Sequence, residues 1–145
     1  MPHTNIDKFD EITGRIFAHL YCSFPEPFEI RTENYEEPVV TSEDEVAEVI
    51  ARDYQRRFVA NTVNWLIESG FISISSRTPN SFYNAVLTAK GLECLKKTPD
   101  SVSPSVGKQL NDAVRSGSIE VIKNITNQVL SVGVAIALHK IGIQQ

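Results

Sequence analysis

Two helices with a β-hairpin between them are predicted from residues 59–92, which read VANTVNWLIESGFISISSRTPNSFYNAVLTAKGL. The first half of this stretch has apolar side chains at helical spacing, which would form one buried face. They are Val59, Val63, Leu66 and Ile67. Gly70 follows the last apolar turn, where a left-handed cap suits a residue without a Cβ. We therefore expect a helix that ends at about Ser69.

A hairpin is expected after this helix. Phe71–Ser75 is predicted as its first strand. Ser76–Asn80 contains Pro and Asn among polar residues, which is typical of a loop. Ser81–Leu87 is rich in aromatic and branched residues and is predicted as the returning strand. Thr88 offers a hydroxyl as N-cap, so the next helix should cover Ala89–Lys97.

This order of elements resembles the winged helix-turn-helix superfamily, in particular regulators of the MarR and PadR families. Their recognition helix ends in a Leu-x-x-x-Gly-Phe/Leu-Ile turn, which corresponds to Leu66–Ile72 here. Their wing returns into a Leu-Thr-x-x-Gly segment, which corresponds to Leu87–Gly91. The resemblance implies a mainly α fold with a small β-wing, that is, a winged helix-turn-helix domain followed by a C-terminal helical extension. It also implies DNA binding, although winged helices serve as protein-interaction domains as well.

The remainder of the predicted winged-helix domain, residues 1–98, fits this pattern. A helix is expected at Ile6–Cys22, because the two prolines that follow cannot continue it. Phe28–Ile30 is predicted as a short strand that pairs with the wing. One helical turn is expected at Thr32–Tyr35.

The helical region that leads to Ser69 can be interpreted in two ways. Ser42 and Glu45 form a capping box that would open it. It could then be two helices, Glu43–Asp53 and Arg57–Ser69, as in the usual helix-turn-helix. It could also be one long helix preceded only by the Thr32 turn. We favour the long helix, because no Gly or Pro lies between positions 42 and 69.

The helix face opposite the apolar stripe is predicted to contact DNA. Its side chains are those of Arg57, Asn61, Asn64 and Glu68. Asparagine can bond bidentately to adenine in the major groove, and arginine can bond phosphate or guanine. Arg52, Arg56 and Arg57 would hold the DNA backbone, and Arg77 at the wing tip would enter a minor groove. The alternative is an ordinary solvated helix face, which the acidic Glu68 favours.

The charge distribution permits a DNA-binding face without requiring one. The net charge is -4. The first fifty residues hold three basic and twelve acidic side chains, whereas the other 95 hold eleven basic and six acidic ones. A DNA-binding protein needs a basic contact face rather than a basic whole. An acidic N-terminal face with an ordinary remainder explains the asymmetry equally well.

No cluster of residues in the sequence is typical of a catalytic or metal site, so we expect neither an enzyme nor a cofactor. Cys22 and Cys94 are expected to be buried, reduced thiols, as in a cytoplasmic protein. The N-terminus lacks the pattern of a signal peptide. The longest apolar stretch, residues 129–138, is shorter than the roughly 18 to 20 residues of a membrane span, so no membrane partner is expected.

The C-terminal part is predicted to form a helical hairpin, residues 105–145, after a linker rich in Ser and Pro at 99–104. Its helices should cover about 105–115 and 118–140. The second helix carries a heptad-like apolar seam. The seam consists of Ile122, Ile125, Val129, Val132 and Ile136. A second apolar side is formed by Leu130, Val134, Leu138 and Ile141. Such a helix needs two partners, which we expect to be helix 1 and a neighbouring subunit. The alternatives are a helix that only caps the core and one that lies on a membrane surface. The polar face of the helix has few basic residues beyond Lys123 and Lys140, which weakens the second alternative.

Two functions follow from these observations. The first is a small DNA-binding transcriptional regulator. Its dimer, formed through the C-terminal helix, would place two recognition helices about one helical turn of DNA apart. The second is a non-enzymatic protein-interaction module that is built on a winged helix without DNA binding. Trp65 is expected in the core or at a dimer contact in either case.

Overall fold

The computed structural model describes residues 4–41, 43–98 and 102–140, with side chains up to residue 136. Within these ranges the chain forms five α-helices, one 3-10 turn and an antiparallel sheet of four strands. In chain order they are α1 (Asn5–Ser23), β1 (Phe28–Arg31), the 3-10 turn (Thr32–Asn34), α2 (Glu45–Glu68), β2 (Ile72–Ser73), β3 (Ser76–Thr78), β4 (Ser81–Leu87), α3 (Ala89–Lys96), α4 (Val106–Ser116) and α5 (Ile119–Lys140). The prediction of a mainly helical chain with a small β-sheet is confirmed.

The long helix α2 is continuous, as favoured from the absence of Gly and Pro. It begins at Glu45, and the carboxylate of Asp44 caps it by accepting hydrogen bonds from the amides of Val46 (3.0 Å) and Ala47 (3.1 Å). The N-cap of α2 is therefore Asp44, two residues after the Ser42 that the predicted capping box uses. Ser42 itself lies outside the described residues.

The hairpin after α2 has a shorter turn than predicted. Gly70 ends the helix at φ 81°, as expected. Ser76–Thr78 is a strand rather than part of a loop, which leaves only Pro79–Asn80 as the turn. All three residues of this strand are exposed, so no alternation of apolar and polar side chains marks it in the sequence. The strand that opens the hairpin is Ile72–Ser73 rather than Phe71–Ser75.

The strand order β1-β4-β2 confirms that the first strand pairs with the returning strand of the hairpin. Phe28 lies opposite Ala85, and Ile30 lies opposite Phe82. The helical turn expected at Thr32–Tyr35 is the 3-10 turn Thr32–Asn34. It leads the chain from β1 towards α2.

Helix α3 is fastened to the end of α2 by the Leu-Thr-x-x-Gly segment. The Thr88 hydroxyl accepts a hydrogen bond from the Gly91 amide (3.1 Å) and donates one to the Gly70 carbonyl (2.5 Å). A Cβ at Gly91 would lie 2.2 Å from the carbonyl oxygen of Phe71. Only glycine therefore allows α3 to approach the backbone this closely.

The two C-terminal helices pack on α1 and on each other. The approach of α5 to α1 is close, because a Cβ at Gly14 would lie 2.5 Å from Thr126 Oγ1 and 2.6 Å from Ile122 Cγ2. One cluster of buried side chains includes residues of α1, the sheet, α4 and α5. The predicted linker at 99–104 thus separates two stretches of sequence that share a single core.

The two cysteines differ in their surroundings, contrary to the expectation that both are buried. Both are free thiols, but Cys22 is exposed near the end of α1 and only Cys94 is buried. Burial raises the pKa of the Cys94 thiol, so it stays protonated.

Candidate nucleic-acid interface

Five of the six side chains predicted to contact DNA line one groove between α2 and the β3–β4 hairpin. The groove has a volume of about 440 Å³. The five are Arg56, Arg57, Asn61, Asn64 and Arg77. Arg57, Asn61 and Asn64 follow each other on α2 at spacings close to one helical turn and share a face, with Arg56 beside them. The two-residue turn brings Arg77 alongside them. The sixth, Arg52, lies in a neighbouring polar cleft of about 620 Å³ with Arg31 and Arg56. We call the first cavity the arginine groove.

Two hydrogen bonds hold the hairpin against α2. Arg56 Nη1 donates to the carbonyl oxygen of Pro79 in the turn (2.9 Å). Arg77 donates to the side-chain oxygen of Asn64. The expectation that Arg77 occupies the wing tip was therefore wrong, because it belongs to β3 and is directed at α2. This bond uses only Nη1, so the other donors of the exposed Arg77 guanidinium remain available for a phosphate.

The arginines of α2 form ion pairs on the protein surface. Asp53 accepts hydrogen bonds from Arg56 (2.8 Å) and Arg57 (2.8 Å), and these bonds lower the pKa of the Asp53 carboxyl. Arg52 pairs with Glu48 at 2.9 Å. Exposed ion pairs stabilise a fold by only about 0–1 kcal/mol. A phosphate can therefore replace the carboxylate at either arginine with little loss of stability.

Asn61 lies between two grooves of different character. Its side chain is exposed and makes no hydrogen bond within the described residues. On one side of it is the arginine groove. On the other side is an apolar groove of about 480 Å³ between α1 and α2, lined by Asn5, Ile6, Phe9, Phe58, Asn61, Thr62 and Trp65. The Trp65 ring meets the Phe9 ring edge-on at a centroid distance of 5.3 Å, yet Trp65 remains about half exposed.

The predicted dimer seam of α5 is largely occupied within the chain. Ile122, Ile125 and Val129 are buried in the core that α5 shares with α1. Val132 and Ile136 are half-buried against the same core. The expectation that helix 1 covers one side of α5 is confirmed. A subunit interface built on the three buried residues would require this core to open.

The sequence analysis overlooked an exposed apolar surface on the first three turns of α2. Val46, Ile50 and Tyr54 follow each other at intervals of four residues, and Val49 lies beside them. All four are exposed. The four-residue spacing of large apolar side chains could have revealed this row. The buried residues of α2 all lie in its second half, so the first half extends beyond the core.

A partly buried polar pair lies away from these surfaces. His19 Nδ1 and Tyr35 Oη are 2.6 Å apart. Burial lowers the pKa of His19 and raises that of Tyr35 to about 12. The pair joins α1 to the segment after the 3-10 turn.

Within the described residues, no three His, Cys, Asp or Glu side chains are grouped so that they could hold a metal ion.

No protein-family model matches the chain, and comparisons with curated proteins and with solved structures give no significant match either. Among the helices of the described ranges, none is both long and apolar enough to cross a membrane.

Proposed function

We propose that the chain is a small winged helix-turn-helix protein that binds double-stranded DNA and regulates transcription as a dimer. The order of elements supports the fold assignment: a helix, a strand, a helical turn, a long helix and a hairpin whose last strand pairs with the first. In this assignment α2 is the recognition helix and β3–β4 is the wing. The 3-10 turn at Thr32–Asn34 takes the place of the first helix of the helix-turn-helix.

The observation that carries this proposal is the convergence of three arginines and two asparagines on one exposed groove. An α-helix with its side chains is about 10–12 Å wide and fits the major groove of B-DNA, which is about 12 Å wide. Asn61, which makes no competing hydrogen bond in the described residues, would bond to a base edge. Arg57 would exchange Asp53 for a phosphate, and Arg56 would keep the wing in place.

The asparagines provide the test of base recognition. If Asn61 and Asn64 contact bases, the double variant Asn61→Ala/Asn64→Ala should retain affinity for random duplex but lose its preference for particular sites. Asn124→Ala, an exposed asparagine of α5, is the matched control. Selection of bound duplexes from a random pool measures the preference of all three proteins. Identical selected sites for the double variant and the parent would refute the assignment.

The second candidate function is a protein-interaction module without DNA binding. The exposed apolar residues at the start of α2 favour it, as do the carboxylates that already pair with the arginines. Under this alternative the groove residues would serve only to hold the hairpin against α2. Binding of the chain to duplex DNA that weakens steeply with salt would argue against it.

A further inference from the structure

An apolar ridge runs along the exposed side of α2. We define it as Val46, Val49, Ile50 and Tyr54, whose exposed fractions are 68%, 64%, 61% and 45%. It continues into the apolar groove, since the Tyr54 ring lies 6.2 Å from that of Phe58. Contiguous exposed apolar side chains of this size mark an interaction surface more often than an ordinary surface.

We propose that the apolar ridge is the interface between two copies of this chain, with the two α2 helices crossing antiparallel. The charges along α2 favour this occupant. Four acidic residues lie just before the helix or in its first turn, namely Glu43, Asp44, Glu45 and Glu48. Further along, three arginines are accompanied by the single carboxylate of Asp53. An antiparallel pair places the acidic end of each helix near the basic segment of the other, whereas a parallel pair would place like charges together.

The spacing of the ridge defines how the helices would meet. A row of side chains four residues apart packs into the equivalent row of a second helix at a crossing angle of about 50°. From Val46 to Phe58 the row extends about 18 Å along the helix axis. The ridge consists of four residues, whereas a stable complex buries roughly 20–30 residues a side, so we expect a weak dimer with a dissociation constant on the order of micromolar.

The proposed interface reaches the edge of the arginine groove at Arg57, which the antiparallel arrangement places near the acidic start of the second copy's α2. The row from Val46 to Phe58 turns towards α1 as it proceeds along α2. Phe58 at its end lines the apolar groove between α1 and α2, as does Trp65. Arg56, Ala60 and Asn64 line the hairpin side. This inference does not rest on DNA binding, since its test measures only the mass of the protein.

Sedimentation equilibrium of the full chain over a wide concentration range tests the interface. The parent chain should change from monomer to dimer, and Ile50→Glu should raise the dissociation constant by at least about tenfold. Val134→Glu, which replaces an exposed apolar residue of α5, is the matched control and should leave association unchanged. A parent chain that stays monomeric at every concentration, or a dimer that only the Val134→Glu change disrupts, would overturn the proposal.

A charge exchange tests the antiparallel arrangement and also excludes an effect of misfolding. The variants Glu43→Lys/Glu45→Lys and Arg57→Glu each create like-charge contacts in their own dimer, so each alone should be mainly monomeric. When the two are mixed, both ends of the antiparallel pair carry opposite charges, and a heterodimer should form. Absence of a heterodimer from two variants that fold normally, as circular dichroism shows, would refute the arrangement.

Discussion

Replacement of Ile122 by Ala distinguishes a core contact of α5 from a subunit contact. The Ile122 side chain is only 2% exposed, and its Cγ2 would lie 2.6 Å from a Cβ built on Gly14. Removal of three carbons costs about 2.4 kcal/mol in transfer free energy, and the cavity that remains adds to it. We therefore expect the free energy of unfolding to fall by about 3–4 kcal/mol.

The assay is urea unfolding followed by circular dichroism. All proteins are made in the Ile50→Glu background, which removes the α2 interface proposed above. Val134→Ala, on the exposed side of α5, is the control and should change the unfolding free energy by less than about 0.5 kcal/mol. Because Ile122 contacts α1 of its own chain, the unfolding midpoint should be the same at two protein concentrations that differ a hundredfold.

The result that would refute this reasoning is a concentration-dependent midpoint. If Ile122 lay between subunits, a hundredfold dilution would lower the apparent stability by about 2.7 kcal/mol. A loss of stability below about 1 kcal/mol for Ile122→Ala would contradict its burial as well, because buried aliphatic residues cost more than this when truncated.

Three further predictions concern single side chains. Gly91→Ala should destabilise the fold by more than about 1 kcal/mol in thermal unfolding, since its Cβ would meet the Phe71 carbonyl oxygen at 2.2 Å; a neutral effect would show that α3 can shift. Burial raises the pKa of the Asp10 carboxyl above 3.8, so this carboxyl holds its proton more tightly in the native state than in the unfolded state. The free energy of unfolding therefore falls as the pH rises through the native pKa. Asp10→Asn should therefore increase the free energy of unfolding at neutral pH. Urea unfolding of the parent and the variant at several pH values measures this, and the same pH dependence for both proteins would contradict the prediction. Arg57→Ala should lower the slope of log affinity for DNA against log salt concentration by about 1, which corresponds to one phosphate contact. The exposed Arg115 of α4 is the control, and its replacement by Ala should leave the slope unchanged. Equal slopes for both variants would remove Arg57 from the interface.

Local signals in the sequence were sufficient for most elements. Gly70 and Thr88 are correctly predicted as caps because each acts through its own backbone or through neighbours close in sequence. The continuity of α2 could be predicted for the same reason, since helix breakers are absent over a long interval. The pairing of β1 with the hairpin depended on the resemblance rather than on any property of its residues.

Features that depend on distant parts of the chain could not be predicted. β3 has only exposed side chains, and it is a strand because β4 offers it backbone partners. The seam of α5 has the spacing of a subunit contact, but Gly14 on α1 allows α5 to pack against its own chain. The position of Arg77 depends on a two-residue turn whose length the sequence did not define.

The same contrast applies to the candidate interface. The stripe of Arg57, Asn61 and Asn64 follows from helical geometry and was predicted. The ion pairs of Asp53 with two arginines also lie within one turn and could have been foreseen from the i,i+3 and i,i+4 spacing. The hydrogen bond from Arg77 to Asn64 joins positions in different elements, and only the structure reveals it.

The most direct test of the central proposal is fluorescence anisotropy of a labelled random duplex, titrated with the full chain at low and at moderate salt. The account predicts binding that weakens steeply as salt rises, because the arginines of the groove would neutralise DNA phosphates and release the counterions condensed on them. It also predicts that Arg56→Ala/Arg57→Ala weakens this binding while Arg115→Ala does not. Absence of binding at low salt, or binding that the paired substitution leaves unchanged, would contradict the proposal that this groove binds DNA.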